Sequence, residues 1–327
     1  MFLSSSLVLL LLSSALPESF ADYMYQHRYA CVGPFADLSK PVELSIGKNR
    51  YRLTGSRMVQ LSREADSAEV KLGVLSAIKD FSSETRGNLH YFLDWFEREG
   101  VETLILNGDL AMNEDDLDDL LAWLGDRGLP TFVLSGNSES AGSFARATRR
   151  AHERYPNIIN LGWVRQIVGP GYELISLPGY HDRRFMHVGS ACGYKQADID
   201  DTVFSIGPAQ ATRILVSHGP PQGRGKQALD LTAEGEHVGD PALNRLIERL
   251  DISFGIHGHI LEAGGRAVAA DQRQGIREGR YSPSLFINAG SANGLPWRLL
   301  DNSVSTGMAA IFSVRDNTAA VYFDRRR

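Results

Sequence analysis

The sequence GIHGHILEAGG, residues 255–265, continues an apolar run and ends in a glycine-rich corner. His257 lies inside the predicted strand and is interpreted as a core histidine, whereas His259 follows Gly258, where the chain turns, and is placed to bind a metal ion. A second imidazole two residues later would complete a His-x-His pair, but Leu261 stands there. The stretch therefore predicts a metal-binding corner with one ligand position altered, and Leu261 as a simple packing residue is the competing interpretation.

Around this corner, strand-like and helix-like segments alternate along residues 71–327. The predicted strands are the apolar runs KLGVLSAIKD (71–80), TLILNGD (103–109), TFVLSGN (131–137), YELISLPG (172–179), RILVSHG (213–219), ISFGIHGH (252–259) and LFINAGS (285–291). Helical spacing of apolar residues occurs in NLHYFLDWF (88–96), after the candidate cap Asn113 and after Asp240-Pro241. This alternation predicts a layered α/β fold.

The two ends of the chain depart from this alternation. PVELSIGKNRYRLTG, residues 41–55, predicts two strands around a Gly-Lys-Asn turn, so residues 22–70 are interpreted as a small N-terminal β extension. GMAAIFSVRDNTAAVYFD, residues 307–324, predicts a C-terminal β-hairpin. The main domain is accordingly expected to span residues 71–327.

Five side chains able to bind a metal ion stand where predicted strands end. They are Asp80, Asp109, Asn137, His218 and His259. In layered α/β proteins the carboxyl ends of the strands form the ligand-binding edge, so residues distant in sequence converge there. Taken singly, Asp109 and Asn137 suit turns and His218 suits a loop. The series of five predicts a metal site.

The order of these motifs resembles that of the calcineurin-like metallophosphoesterases, which carry D-x-H, G-D, G-N-H-E/D, a lone histidine often in H-x-P-P, and G-H-x-H. Here they stand as DFS (80–82), GDL (108–110), GNSE (136–139), HGPP (218–221) and GHIL (258–261). Each motif alone is weak, and the ordered series is specific. The resemblance implies a metallophosphoesterase-type β-sandwich flanked by helices over residues 71–327.

The resemblance also implies a set of ligands. One metal would be bound by Asp109, Asn137, His218 and His259, and this set is complete. The other metal would use the D-x-H pair, the bridging Asp109 and the second histidine of G-H-x-H, and of these only Asp80 and Asp109 remain. The same resemblance gives Asp109, Asn137 and His218 catalytic roles, with Asn137 also contacting substrate.

Three histidines of the family pattern are replaced. Ser82 and Leu261 stand at two ligand positions, and Ser138 stands where the family has the histidine that acts on the leaving group or steadies the phosphoryl charge. A second register would align Ala77 and Lys79 with D-x-H, which removes Asp80 from the site and leaves a lysine charge there. The Asp80 register is preferred because AIKD fits a strand that continues to its terminal carboxylate.

Carboxylate, amide and imidazole ligands suit manganese, iron or zinc. The expected activity is metal-dependent hydrolysis of a phosphate ester at a single-metal or altered two-metal centre, because one Lewis-acidic cation still binds phosphate and still lowers the pKa of a bound water. The alternative is a non-catalytic protein of the same fold that binds a metal ion, an anion or a partner. The expected partner is a phosphorylated small molecule or other phosphoester.

Two further segments carry candidate substrate-binding residues. His181 follows a predicted strand and could reach the same edge, with Arg183 and Arg184 nearby, although a solvated basic loop is the simpler interpretation. Arg224, shortly after HGPP, could meet an anionic substrate, and solubility explains it equally well.

Composition narrows the classes of function. The chain has 327 residues, 43% hydrophobic and 22% charged, with a net charge of −5. That is an ordinary globular composition, long enough for a sizeable core. Since it contains no long basic run, nothing in it indicates nucleic-acid binding.

The N-terminus and the two cysteines bear on location. An apolar core at residues 7–12 is followed by Ser19-Phe20-Ala21, which predicts a secretory signal cleaved after Ala21 and hence a periplasmic or secreted protein. Without cleavage the protein would be cytoplasmic. The apolar run is too short to span a membrane, and no transmembrane segment is expected in the mature chain.

Cys31 and Cys192 could pair in an oxidising compartment, but the sequence leaves this open.

Overall fold

The computed structural model describes residues 16–62, 69–209 and 211–326. Its α-helices are α1 (Phe20–Gln26), α2 (Ser83–Arg98), α3 (Glu114–Gly125), α4 (Ala141–Arg154), α5 (Gln196–Ser205) and α6 (Pro241–Arg249), with short 3-10 turns at Arg183–Phe185 and Leu261–Ala263. Its strands are β1 (Val42–Ile46), β2 (Asn49–Thr54), β3 (Arg57–Ser62), β4 (Val70–Leu75), β5 (Thr103–Asn107), β6 (Thr131–Leu134), β7 (Ile158–Asn160), β8 (Gln166–Gly169), β9 (Tyr172–Leu177), β10 (Thr212–Ser217), β11 (Phe254–His257), β12 (Arg266–Val268), β13 (Leu285–Asn288), β14 (Trp297–Arg298), β15 (Val304–Ser305), β16 (Gly307–Arg315) and β17 (Thr318–Arg326).

These strands form two mixed sheets and a small ribbon. The larger sheet has the order β1-β2-β3-β8-β9-β10-β11-β13-β12, the smaller has the order β17-β16-β4-β5-β6-β7, and β14 pairs with β15. Strands β9, β10, β11 and β13 are parallel, as are β4, β5, β6 and β7. Each sheet therefore has a parallel centre whose strands end along one edge.

The sheets pack face to face, and five helices, α2 to α6, cover their outer faces. The central core combines side chains from both sheets, such as Ile105 and Phe132 from one and Ile214 and Ile256 from the other. Helices α2, α3 and α4 pack on the smaller sheet, and α5 and α6 pack on the larger. The predicted layered α/β fold, a β-sandwich flanked by helices, is confirmed.

The helices and strands with strong sequence signals were predicted correctly, and some with weaker signals were missed. Asn113 caps α3 by accepting a hydrogen bond from the backbone N–H of Asp116 at 2.8 Å, and Asp240 caps α6, whose first residue is Pro241. The C-terminal hairpin is β16 and β17. Helix α4 was not predicted, because its buried face carries only one large apolar side chain, Phe144, beside three alanines and Thr148.

The predicted N-terminal extension is part of the larger sheet. The two expected strands are β1 and β2, and an additional strand, β3, pairs with β2 on one side and in parallel with β8 on the other. Residues 42–62 thus lengthen the sheet at its edge. This pairing joins them to the main domain through backbone hydrogen bonds.

The apolar core of the predicted leader, residues 7–12, lies outside the described residues. The expected cleavage position after Ala21 falls inside α1, where the Ser19 side chain accepts a hydrogen bond from the backbone N–H of Asp22 at 3.2 Å. Phe20 is 4% exposed, and its ring packs edge-on against that of His152, with ring centroids 5.3 Å apart. A cut after Ala21 would remove both the cap and this core side chain.

Cys31 and Cys192 form a disulfide, with their Cα atoms 5.2 Å apart. The sequence left this pairing open because the two cysteines are 161 residues apart. The bond ties the segment after α1 to the loop between β9 and α5.

Within the part of the chain that the structure describes, no helix has the length and apolar character needed to cross a membrane.

Candidate metal centre

Four polar side chains leave the ends of strands from both sheets and meet between them. Asp109 follows β5 and Asn137 follows β6, two neighbours in the smaller sheet, whereas His218 follows β10 and His259 follows β11, two neighbours in the larger sheet. Each sheet thus supplies two of the four. Of the five strand-end residues that the sequence predicts to converge, these four do so.

Two glycines allow the loops to approach this closely. Gly108 has a φ of +80°, and a Cβ atom there would collide with the ring of His218. A Cβ at Gly136 would collide with the carboxylate of Asp109. Asp109 and His259 themselves have positive φ angles of 56° and 65°, a conformation that is uncommon for residues other than glycine. Backbone strain of this kind concentrates at functional sites.

The potential ligand atoms lie close together. Asn137 Oδ1 is 2.7 Å from His218 Nε2 and 2.9 Å from His259 Nδ1, and the two imidazole nitrogens are 3.3 Å apart. His218 Nε2 is 3.4 Å from Asp109 Oδ1. One ligand atom from each of Asp109, His218 and His259 lies within 4.8 Å of the others. A single ion can therefore contact all of these side chains.

Hydrogen bonds behind the cluster determine which atoms carry lone pairs. His218 Nδ1 lies 3.0 Å from the carbonyl oxygen of Asn107, which can only accept, so Nδ1 carries the hydrogen and Nε2 of the neutral ring has a lone pair. Asn137 Nδ2 donates to the carbonyl oxygen of Phe185 at 2.6 Å, which turns Oδ1 towards the histidines. In the neutral ring, Nε2 and Asn137 Oδ1 are two acceptors 2.7 Å apart, an arrangement that a cation bound beside them would stabilise. The donor set thus fits a bound metal ion.

The electrostatic surroundings of Asp109 and His259 favour the protonation states in which these side chains can bind a metal ion. Burial alone would raise the pKa of Asp109, but electrostatic interactions with His218, Lys79 and His259 hold that pKa below its usual range. Asp109 Oδ1 also accepts hydrogen bonds from the backbone N–H groups of Asn137 and Ser138, at 3.1 and 3.0 Å. His259 is partly exposed, but burial of its ring holds its pKa well below the usual range, so the ring is neutral and can bind a metal.

Glu139, which was not among the predicted site residues, also contributes to the arrangement of the site. It is 2% exposed, and its two carboxylate oxygens accept hydrogen bonds from the backbone N–H groups of Leu110 and of Gly136, the latter at 2.9 Å. Burial, followed by the charge of Asp109, raises the pKa of Glu139 to about 8. This side chain joins the two loops that carry Asp109 and Asn137. Its position as the last residue of the GNSE motif could have indicated this role.

Asp80 does not join the cluster, and Lys79 does. Strand β4 ends at Leu75 instead of continuing to Asp80, which corrects the expectation behind the Asp80 register. The carboxylate of Asp80 accepts hydrogen bonds from Asn293 Nδ2 at 2.7 Å and from the backbone N–H of Ser82 at 3.0 Å. Lys79 Nζ instead lies 3.5 Å from Asp109 Oδ2. The geometry favours the second register, in which Ala77 and Lys79 occupy the D-x-H positions.

The other two altered positions have structural explanations. Ser82 is the N-cap of α2, and its hydroxyl accepts a hydrogen bond from the backbone N–H of Thr85 at 3.3 Å. This corrects the alignment of Ser82 with a ligand position. Leu261 begins the 3-10 turn Leu261–Ala263 and is 8% exposed, so an apolar side chain is buried beside His259.

The remaining sequence-predicted residues lie away from the four ligands. His257 is fully buried in β11, with Nδ1 2.9 Å from Ser217 Oγ, and burial lowers its pKa to about 3, which confirms it as a core histidine. His181 packs near Tyr194, with ring centroids 6.3 Å apart, instead of entering the cluster. Arg224 is exposed, and the contacts found among the described residues do not connect it with the ligands.

The loop that follows β9, for which a solvated basic loop was the simpler interpretation and His181 a candidate site residue, covers the cluster. Tyr180 packs against His259 with ring centroids 3.9 Å apart, and the ring of Phe185 lies edge-on to His259 at 5.8 Å. The backbone N–H of His187 donates to the carbonyl oxygen of Asn137 at 3.1 Å. His181 was the histidine proposed from this loop, and the structure brings His187 to the site in its place.

Comparison with known proteins agrees with this architecture. A first solved structure has a TM-score of 0.57 at 17% identity, covering 79% of this chain and 99% of that chain. GAP50, the anchor in the inner membrane complex of Plasmodium, has a TM-score of 0.50 at 13% identity, covering 79% and 85%. A protein of Thermus thermophilus has a TM-score of 0.49 at 14% identity, covering 73% and 98%. At these identities the first two show the fold alone.

No sequence among the curated proteins matches this chain. The family model described as calcineurin-like phosphoesterase matches residues 80–263, which is more than half of the chain and includes Asp109, Asn137, His218 and His259. The match agrees with the ordered strand-end motifs and with the observed β-sandwich. The chain belongs to the calcineurin-like phosphoesterase family.

Proposed function

We propose that this protein hydrolyses phosphate esters at a centre that binds one divalent transition-metal ion, manganese, iron or zinc, through Asp109, Asn137, His218 and His259. The observation that carries the proposal is the 2.7 Å approach of Asn137 Oδ1 to His218 Nε2, because both are acceptors and both are fixed by hydrogen bonds behind them. A metal ion bound there supplies Lewis-acid activation of a phosphoryl group and of the attacking water.

The lysine beside Asp109 supports a centre with one ion instead of two. A bridging carboxylate uses its second oxygen for the second ion. Here Asp109 Oδ2 faces the Lys79 ammonium at 3.5 Å, and Ala77 offers no ligand atom. Lys79 therefore places a fixed positive charge where the second cation would lie. That charge attracts an anionic phosphoryl group without binding a second metal.

A non-catalytic role is the alternative, and the same lysine favours it. Loss of the second ion removes half of the two-metal clamp that holds the attacking and leaving oxygens in line. A protein that keeps one ion could bind an anion or a phosphorylated small molecule and release it unchanged. Catalysis is preferred here because the four ligands of the remaining ion are complete and enclosed.

Removal of any one charged or imidazole ligand should abolish tight metal binding. We expect about one transition-metal ion per purified chain, and an affinity at least about tenfold weaker in Asp109→Ala, His218→Ala and His259→Ala. Elemental analysis after dialysis measures the ion content. His257→Ala is the matched control, since this histidine is in the core. Loss of the metal from folded His257→Ala would show that the ligands are assigned wrongly.

Restoring the second ligand set should raise the metal content towards two ions per chain. The required changes are Ala77→Asp, Lys79→His and Leu261→His together, because they remove the competing ammonium and add three ligands around Asp109. Ala77 has a φ of 47°, a region that aspartate tolerates better than alanine. The matched control is Ser82→His with Leu261→His, which keeps Lys79. A folded triple variant that still binds one ion would contradict the proposed register.

Phosphate release should depend on the metal and on Asp109. With added manganese we expect slow hydrolysis of an aryl phosphate monoester or diester, lost on chelation and lowered at least about 100-fold in Asp109→Ala, because general catalysis at such centres is worth about 10²-fold or more. Asp119→Ala, an exposed carboxylate on α3, is the control. Metal-loaded protein that binds phosphate but hydrolyses neither ester would support the non-catalytic alternative instead.

We also propose that the protein is exported. The apolar run at residues 7–12 and the Cys31–Cys192 disulfide support this, because disulfides persist mainly in oxidising compartments. A cut after Ala21 would disrupt α1. The triplet Ser13-Ser14-Ala15 is the better cleavage site, because its first and third residues are small, as they are in Ser19-Phe20-Ala21. Mass spectrometry of the protein from its own host should show a chain beginning at Leu16. An intact chain in the cytosol would refute export.

A further inference from the structure

The loop over the metal ligands, residues 178–193, is held at both ends. The backbone N–H of Gly179 donates to the carbonyl oxygen of Ser135 at 2.9 Å, and that of Tyr180 donates to the carbonyl oxygen of Cys192 at 3.1 Å. Cys192 is in turn bonded to Cys31. We call this segment the covering loop. Its two ends are fixed to the sheet edge and to the N-terminal segment, so its middle has a defined position above the cluster.

The middle of the covering loop contacts the ligand residue Asn137 twice. Asn137 Nδ2 donates to the carbonyl oxygen of Phe185 at 2.6 Å, and the backbone N–H of His187 donates to the carbonyl oxygen of Asn137 at 3.1 Å. Both bonds involve the residue whose Oδ1 faces the two histidines. The loop is therefore positioned relative to the metal ligands themselves, which places His187 at the rim of the centre.

A hydrogen bond orients the side chain of His187. Its Nδ1 lies 3.1 Å from Ser138 Oγ, and Ser138 is fully buried, with its backbone N–H donating to Asp109 Oδ1 at 3.0 Å. His187 itself is exposed. A serine hydroxyl can donate to or accept from an imidazole nitrogen, so it holds the ring through Nδ1. Among the described residues Nε2 has no hydrogen-bond partner, so it can face a ligand.

Charged side chains also lie near the cluster. Lys79 Nζ lies 3.5 Å from Asp109 Oδ2, and the Arg184 guanidinium is paired with Asp182. An anion that reaches the metal from solvent would thus meet His187 as an oriented donor.

We propose that His187 binds the phosphoryl group of the substrate beside the metal, as a hydrogen-bond donor through Nε2, with Ser138 orienting the ring. The inference rests on the proposed function and extends it to a residue outside the family's motifs. Ser138 stands where the family resemblance led us to expect a histidine, and the hydroxyl at that position holds an imidazole supplied by the covering loop. The imidazole is thereby provided from a different part of the chain.

Binding of inorganic phosphate to the metal-loaded protein tests the proposal without requiring turnover. In calorimetry at saturating manganese, His187→Ala should weaken phosphate binding about tenfold or more, because a hydrogen bond to a charged oxygen is lost. Metal content should be unchanged. His187→Gln, which keeps a donor near the position of Nε2, should retain most of the affinity. His90→Ala, an exposed histidine on α2, is the matched control and should bind as the wild type does.

The outcomes separate this inference from the proposed function. If wild-type protein binds phosphate and His187→Ala binds it equally well, His187 is not a phosphoryl-binding residue and the proposed function stands. If His187→Ala loses the metal, the histidine acts through Asn137 and the inference is overturned. If metal-loaded wild-type protein binds no phosphate, the proposed function and this inference both fall. With a hydrolysable aryl phosphate, the expected change in His187→Ala is chiefly a higher KM.

Discussion

The site depends on one geometrical constraint, which is that the two sheets present their parallel strand ends at a common edge. Strands β5 and β6 end in the loops of Asp109 and Asn137, and β10 and β11 end in those of His218 and His259. Because the sheets pack face to face through a shared core, these four loops are brought to within hydrogen-bonding distance of one another. The packing of the two sheets therefore holds these four polar side chains together.

The cluster is stabilised by the polar groups behind it. Glu139 joins the Asp109 and Asn137 loops through two backbone N–H groups, and the carbonyl oxygen of Asn107 fixes the tautomer of His218. Such supporting contacts orient metal ligands and set their basicity. They also explain why buried charge is tolerated at Asp109, whose carboxylate is surrounded by backbone donors and by Lys79. The cost of burying a carboxylate is offset when it is hydrogen-bonded and paired.

At positions that depart from the family pattern, the replacing side chains make contacts of their own. Lys79 supplies a positive charge at the second oxygen of Asp109, and Ser138 holds His187. In each case the replacing side chain has a partner within the described structure. The Lys79 ammonium supplies one unit of positive charge beside Asp109, which is less than the two units of a divalent ion, and Ser138 positions an imidazole from the covering loop.

The sequence alone predicted the layered α/β fold, the core role of His257 and the convergence of Asp109, Asn137, His218 and His259. Those predictions succeeded because strand periodicity and the glycine-rich strand ends are local signals. Only the tertiary structure decided between the Asp80 and Lys79 registers, since the choice depends on where β4 ends and on which side chain reaches Asp109. It likewise decided the Cys31–Cys192 pairing and the place of His187, which are contacts across 161 and 49 residues of sequence. Such pairings depend on how the sheets and the covering loop pack, and no local pattern of residues encodes that packing.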